Sequence, residues 1–384
     1  MSASPIQIEL KRSGDLSSLG DDWQALERRA EHSWFQSWGW IGCWLAELGP
    51  IVRPDVLVAR DDDRIVGLAL MTRHRQTRHS VITSRGFYLH ETGDPQFDAI
   101  TMEYNGFLAQ RDRSEEIVRA FLVYLADAVT DCDEFYLGGV GTSYERLAAD
   151  TELTVYCRSR SHCHFVDLAV LGAHERGSFP YLSANTRSQL RRAIRLYEKR
   201  GPLSVELPPD IDTALHFWGE LIELHQSYWR KRGQPGAFSN PFFEALHRRL
   251  IISHFDDSKV QLLRFSAGGE PLGYLYNFVD QGHVYNYQSG FRYEPDNKLK
   301  VGLVTHAFAI QHFADNGYAI YDFMAGDSQY KRSFATGQSE LVWLVLQRPL
   351  VRFRLEHLVR KARSRLSASC LATRSSCRPS TSYL

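Results

Sequence analysis

Four side chains suited to proton transfer or charge stabilisation lie close together late in the chain: Asp322, Asp327, Tyr330 and Lys331. The run Tyr318–Met324 (YAIYDFM) has strand composition, which places Asp322 on a strand and the other three in the polar loop after it. Either carboxylate suits general acid or base work. The Tyr330 hydroxyl suits proton donation. Lys331 suits a phosphate, a substrate carboxylate or an oxyanion. A plainer account has Asp327 capping the next turn and Lys331 as a surface charge. The density of such groups in one loop after a strand favours a functional role.

A second candidate site precedes it. His283–Gln288 (HVYNYQ) reads as a strand, and Phe291–Lys300 cannot continue it because Pro295, Asp296 and Asn297 form turns. Val301–Phe313 then spaces Leu303, Val304, Ala307, Phe308, Ile310 and Gln311 as a helix, which Asn316-Gly317 stops. A helix start offers unpaired amides and a positive dipole end to an anion. Lys298 and Lys300 precede that start, and Val301, Gly302 and Leu303 form its first turn. The arrangement suits the pyrophosphate of a nucleotide-type cofactor such as coenzyme A. Alternation puts Tyr285 and Tyr287 on one strand face, as a pocket floor or as packing.

Other chemistry is disfavoured. There is no G-x-S-x-G, and no cysteine between Cys163 and the tail. Cys157, His162, Cys163 and His164 cluster, but on a probable strand whose successive side chains point to opposite faces. They also lack a second ligand pair at finger-like spacing, so no metal is expected. Formal net charge is +0, so no global field draws the chain to DNA. No apolar run reaches the roughly 18 residues of a membrane span, and Met1–Leu10 lacks a secretory pattern. Six scattered cysteines in a large chain fit reduced thiols and a cytoplasmic protein.

The elements that must hold these groups follow one order twice. In the first half, a strand at Ile6–Leu10 and helices at Leu16–Ala30 and Trp38–Leu48 precede a hairpin of Asp55–Arg60 with Arg64–Arg73. Extended segments at 81–89 and 98–107, a helix at Ser114–Thr130 and strands at Glu134–Leu137 and Thr154–Leu168 follow. In the second half, a strand at Ser204–Leu207 and helices at Asp212–Arg232 and Asn240–His254 precede a three-strand meander. The helix at 302–315 and strands at 318–324 and 340–347 complete it. The fold class expected is mixed α/β in two tandem units, 1–182 and 202–348. The basic helix 183–201, with Arg187, Arg191 and Arg195 on one face, joins them. Residues 349–366 read as a basic amphipathic helix that caps the second unit or lies on an anionic membrane. Residues 367–384 read as a disordered tail.

These features together resemble the bacterial GNAT-fold acyltransferases of the CelD/BcsL type, which carry a BioF-like acetyltransferase domain and are distant relatives of the Fem peptidoglycan peptidyltransferases. The matching pieces run through most of the chain. They are Phe35-Gln36-Ser37 with Trp40 and Trp44, then Arg187 to Gly201, then His225, Trp229-Arg230, Gly233 and Phe238. Gly290-Phe291 with Gly302, and Tyr321-Asp322-Phe323 through Gly326-Asp327 to Tyr330-Lys331, complete the set. One departure is Lys300-Val301-Gly302 where many relatives have Ser-Pro-Gly, which leaves the helix start less fixed.

The resemblance implies two tandem GNAT-like domains, each a mostly antiparallel sheet flanked by helices, with the first degenerate and the cofactor in the second. His225, Trp229 and Arg230 are similar to acceptor-pocket residues. The implied reaction moves an acetyl or longer acyl group from acyl-CoA, or from acyl carrier protein, to an amine or hydroxyl. The implied acceptor is a small molecule or a cell-envelope or exopolysaccharide precursor. Two rivals stand beside it: a Fem-like aminoacyl transferase using aminoacyl-tRNA, and a non-catalytic accessory protein of polysaccharide synthesis.

Overall fold

A computed structural model describes residues 5–12, 18–78, 80–100, 102–172 and 179–358. The first half contains β1 (Gln7–Lys11), α1 (Leu19–Glu27), α2 (Trp38–Leu48), β2 (Asp55–Asp61), β3 (Arg64–Arg78) and β4 (Ile82–Leu89). The turn α3 (Pro95–Asp98), β5 (Leu108–Ala109), α4 (Ser114–Asp127), β6 (Glu134–Gly141), α5 (Ser143–Ala148) and β7 (Thr154–Asp167) follow. After α6 (Ala184–Glu198), the second half runs β8 (Leu203–Glu206), α7 (Ile211–Arg230), α8 (Pro241–His254), β9 (Val260–Ala267), β10 (Glu270–Asp280) and β11 (His283–Phe291). It ends with α9 (Val301–Asp315), β12 (Ile320–Ala325), α10 (Gln329–Phe334) and β13 (Gly337–Gln347).

Local sequence accounts for the helix starts. Asp210 accepts from the Thr213 amide at α7, and Asn240 accepts from the Phe242 and Phe243 amides at α8, where Pro241 fills the first helical position. Ser33 and Gln36 form a capping box ahead of α2, and Ser37 caps it.

The two expected sheets are one. The strand order is β1-β2-β3-β4-β6-β13-β7-β12-β11-β10-β9-β8, with β5 beside β3. Each half's last strand has crossed to the other: β13 lies between β6 and β7, and β7 lies between β13 and β12. The tandem units are therefore joined by exchanged strands as well as by α6. Pairing is antiparallel except at β4–β6 and β11–β12, each in register over three residues only.

Three large apolar clusters fill the layers among the described residues, with a small fourth of Tyr88, Tyr136 and Val345. One joins α1 and α2 to α7 and α8 across the halves, around Trp23, Trp34, Trp40, Trp44, Trp218 and Phe243. One lies under α4 in the first half, and one under α6 and α9 in the second. Strand β10 is buried on both faces: Tyr274, Tyr276 and Phe278 meet the α7–α8 cluster, while Leu275 and Val279 meet the α9 side. Gly201 has φ +133°, and a Cβ there would sit 2.4 Å from the Gly268 Cα, so glycine is required where the chain enters β8.

Several elements differ from expectation. The described residues of the 98–107 segment form no strand: Asp98 ends the short helix α3, and Tyr104 takes φ +52°. The loop after β12 contains the six-residue helix α10. Residues 351–358 are helical, but they lie on the first half, not on the core of the second. There Phe353 is buried, Arg78 pairs with both Glu134 and Glu356, and His357 meets the Tyr156 ring. The rest of the expected C-terminal helix and the 367–384 tail lie outside the described residues.

Candidate active site

Strands β11 and β12 pair only where His283–Tyr285 faces Ile320–Asp322. Beyond that, β11 continues to Phe291 against β10, while β12 turns toward β7 with a register break between Asp322 and Ala325. The result is a wedge with unladdered backbone on its walls. Helix α9 begins just beyond the end of β11. Lys300 is its N-cap residue, its side chain caps nothing, and the first turn contains no acid. Lys298 and Lys300 are exposed. Val301 is buried, and Gly302 and Leu303 are half-buried in the first turn. The uncapped amides, the absence of carboxylates and the two lysines fit a polyphosphate. A Cβ at Gly302 would meet the Phe291 ring at 3.4 Å, an ordinary contact.

Asp322 lies at the base of the wedge and is 1% exposed. Its Oδ1 accepts from the Met324 amide at 2.6 Å. Its Oδ2 accepts from the Tyr104 hydroxyl at 2.5 Å and lies 3.1 Å from His283 Nε2. Met324 holds φ +60°, an uncommon backbone for a non-glycine residue. The bend turns the next amide, Ala325 N–H, onto Glu103 Oε2 at 2.6 Å. Lys331, from α10, donates to the Met324 and Ala325 carbonyls at 3.2 and 2.7 Å. Burial lowers the Lys331 pKa, with Glu103 and Asp322 opposing the shift. Burial pushes the Glu103 carboxyl up to about 7 and the neighbouring Cys163 thiol up to about 12.

The other sequence-predicted residues divide into two groups. Asp327 is exposed: Arg332 at 2.6 Å, and then His164 at 3.1 Å, hold its pKa below the usual carboxylate range. The Tyr330 ring stacks on His306 with centroids 5.1 Å apart, and protein crowding raises its hydroxyl to about 12 although the residue is 37% exposed. Tyr285 stacks on His283 and meets the Tyr104 ring, so it borders the Asp322 group. Tyr287 is inside the aromatic cluster with Phe243 and His247, and its hydroxyl donates to the Ile100 carbonyl.

The α7 residues form the second group. His225 Nδ1 lies 3.3 Å from the Ser289 carbonyl of β11, and its ring meets Phe238. Trp229 is 36% exposed, and Arg230 Nε donates to the Gln226 carbonyl. They flank the outer part of β11 and make no contact with Asp322. No group of three or more His, Cys, Asp or Glu side chains able to hold a metal occurs among the described residues.

Sequence reasoning did not single out Glu103, Tyr104 or His283. All three touch or neighbour the Asp322 carboxylate. The segment Met102–Phe107 (MEYNGF) carries no motif, and its role depends on a contact between halves that local sequence does not encode.

Residues 184–332 match the family model of the acetyltransferase (GNAT) domain. The chain carries a GNAT-type acyltransferase domain. That span covers α6 to α10, and so includes the wedge, the α9 start, Asp322 and Lys331. Among solved structures, FemX matches with TM-score 0.55 at 10% identity, over 84% of this chain and 95% of that one. The C-terminal (DUF2156) domain of a putative lysylphosphatidylglycerol synthetase from Agrobacterium fabrum matches with TM-score 0.52 at 11% identity, over 87% and 92%. L-PGS from Bacillus licheniformis matches with TM-score 0.51 at 15% identity, over 88% and 95%. At these identities the likeness is one of fold, and it extends over both halves. No curated protein matches the chain. No helix among the described residues is long and apolar enough to cross a membrane.

Proposed function

We propose that the GNAT domain transfers an acetyl or longer acyl group from acyl-CoA to an amine or hydroxyl. The proposed acceptor is a small molecule or a cell-envelope or exopolysaccharide precursor, as in the CelD/BcsL type. The observation that supports it best is the β11–β12 wedge opening beside the uncapped, lysine-flanked start of α9. An extended thioester arm fits between diverging strands, where free β11 amides can polarise its carbonyl. Lys298, Lys300 and the amides of Val301, Gly302 and Leu303 would hold the pyrophosphate. Acyl carrier protein could present the same thioester arm.

The test is a thermal-shift series with coenzyme A, acetyl-CoA and longer acyl-CoAs. Stabilisation should follow RT ln(1 + [L]/Kd), about 2.7 kcal/mol at a hundredfold excess over Kd. Lys298→Glu with Lys300→Glu should remove it. Absence of any shift at millimolar ligand would overturn the acyl-CoA reading.

One further observation favours a second reading, an aminoacyl transferase of the Fem type. Helix α6 exposes Arg191, Arg192 and Arg195 at the edge of the domain, a surface suited to an RNA backbone. Binding of aminoacyl-tRNA with a steep salt dependence, lost when these arginines become alanine, would select it.

A further inference from the structure

The first half has a wedge of its own, and its own chain fills it. Strands β4 and β6 pair only over Gly86–Tyr88 with Glu134–Tyr136. Past that point Asn105 enters between them: its amide donates to the Gly139 carbonyl, and its Nδ2 donates to the Leu89 and Gly138 carbonyls at 3.0 Å. With Asn105 fixed there, the preceding residues Glu103 and Tyr104 are directed across the boundary, onto Ala325 and Asp322 of the second half.

Among the carboxylates at the second wedge, Glu103 differs in one respect. Both oxygens of Asp322 are engaged, by Met324, Tyr104 and His283. Asp327 is outside, paired with Arg332. Glu103 uses only Oε2, on the Ala325 amide, and Oε1 has no hydrogen-bond partner among the described residues. The residue is 6% exposed. The titratable groups facing it are Lys331, Asp322, Cys163 and Tyr287.

We propose that Glu103 of the first half takes the proton from the attacking amine or hydroxyl in the second half's transfer and returns it to the departing thiolate. The inference rests on the acyl-transfer reading above. The nucleophile forms a bond to the thioester carbonyl carbon as its proton passes to Glu103 Oε1. The C–S bond then breaks, and the same proton goes to sulfur, so no other donor or acceptor is consumed. The carboxyl's position near neutral pKa suits both directions of transfer. The first half thus contributes a chemical group and not only a scaffold.

The experiment uses the full chain with acetyl-CoA and water or glucosamine as probe acceptors, reading thiol release across pH, with acetyl-CoA binding measured separately. Glu103→Gln keeps an oxygen for the Ala325 amide but cannot carry the proton. It should lower kcat by about 10²-fold or more with KM for acetyl-CoA unchanged. The wild-type profile should fall on the acid side with a midpoint near 7, and that limb should vanish in the variant. Glu103→Asp should restore part of the rate and the limb. Three results would overturn the proposal: Glu103→Gln with wild-type kcat and an unchanged profile, a loss matched by lost acetyl-CoA binding, or a wild type with no acid limb. In those cases wild-type binding and thiol release still stand for acyl transfer. A wild type that neither binds acetyl-CoA nor releases thiol overturns both.

Discussion

The Tyr104 hydroxyl donates to Asp322 Oδ2 at 2.5 Å, joining the two halves of the chain across 218 residues at the base of the wedge. Both flanking backbones are unusual: Tyr104 has φ +52°, and Met324, whose amide holds the other Asp322 oxygen, has φ +60°. Two left-handed non-glycine residues around one buried carboxylate are strain of the kind found where geometry matters more than local stability.

Tyr104→Phe keeps the ring packed against Tyr285 but removes one donor from Asp322. A buried acceptor that loses a partner costs about 1–3 kcal/mol, and the urea midpoint should fall accordingly. Wild-type stability in this variant would mean that His283 and Met324 alone satisfy the carboxylate.

Lys331 and Asp327 should behave differently although they are four residues apart. Lys331→Met removes a half-buried cation that holds the Met324 and Ala325 carbonyls and so fixes the end of β12. Thiol release from acetyl-CoA should drop by about 10²-fold. Asp327→Asn alters an exposed pair with Arg332 and should leave both the urea midpoint and turnover within about threefold of wild type. The reverse ranking would move the chemistry out to the α10 surface.

A junction between the halves should respond to pH. His32 lies 3.4 Å from Glu27 of the first half and 3.3 Å from Asp280 of the second. Burial alone would lower its pKa, but hydrogen bonds and charge from Asp280 and Glu27 overcome that and raise it to about 9. The folded pKa therefore exceeds the unfolded value near 6.5. The stability it contributes is complete below that unfolded value and is lost as pH rises through about 9. Its size is on the order of 2–3 kcal/mol. The difference in urea stability between wild type and His32→Gln should shrink by that amount between pH 6 and pH 9.5. A constant difference would show that His32 stays neutral. His254, raised to about 9 with Asp257 and Cys43 opposing burial, is present in both proteins and cancels.

Much of the fold was legible because its signals are local. The helix α9 follows from apolar spacing and the Asn316-Gly317 stop, and the hairpin β2–β3 from two β-rich runs around Asp61-Asp62-Asp63. Asp322 was legible as a site candidate on a strand that leads into a polar cluster, and Lys331 as a candidate within that cluster. The strand exchange was not, since β13 and β7 have ordinary strand composition and pattern does not choose a partner strand. Glu103 and Tyr104 were hidden for a related reason. Their segment reads as extended, and neither the positive φ at Tyr104 nor the Asn105 contacts in the first wedge, which accompany their turn to the second half, shows in the local pattern. Helix α10 has six residues, too few for a period to show.

The helical segment 351–358 provides a test of how the exchanged strand is held. It follows β13 directly, and its buried side chains, Phe353 and Glu356, lie against first-half residues. Burial raises the cost of holding Arg78 between two carboxylates, Glu134 and Glu356, and Arg78 donors on both oxygens of each carboxylate offset it. Phe353→Ala should therefore cost about 2–4 kcal/mol, as truncation of a buried aromatic does. Glu356→Gln should cost less, since Glu134 still pairs with Arg78. If the segment secures β13 between β6 and β7, deletion from Pro349 should speed amide exchange along β13 and β6 more than along β9 and β10. Uniform exchange across the sheet would mean that the exchanged strands hold without it, and that the helix covers an already stable surface.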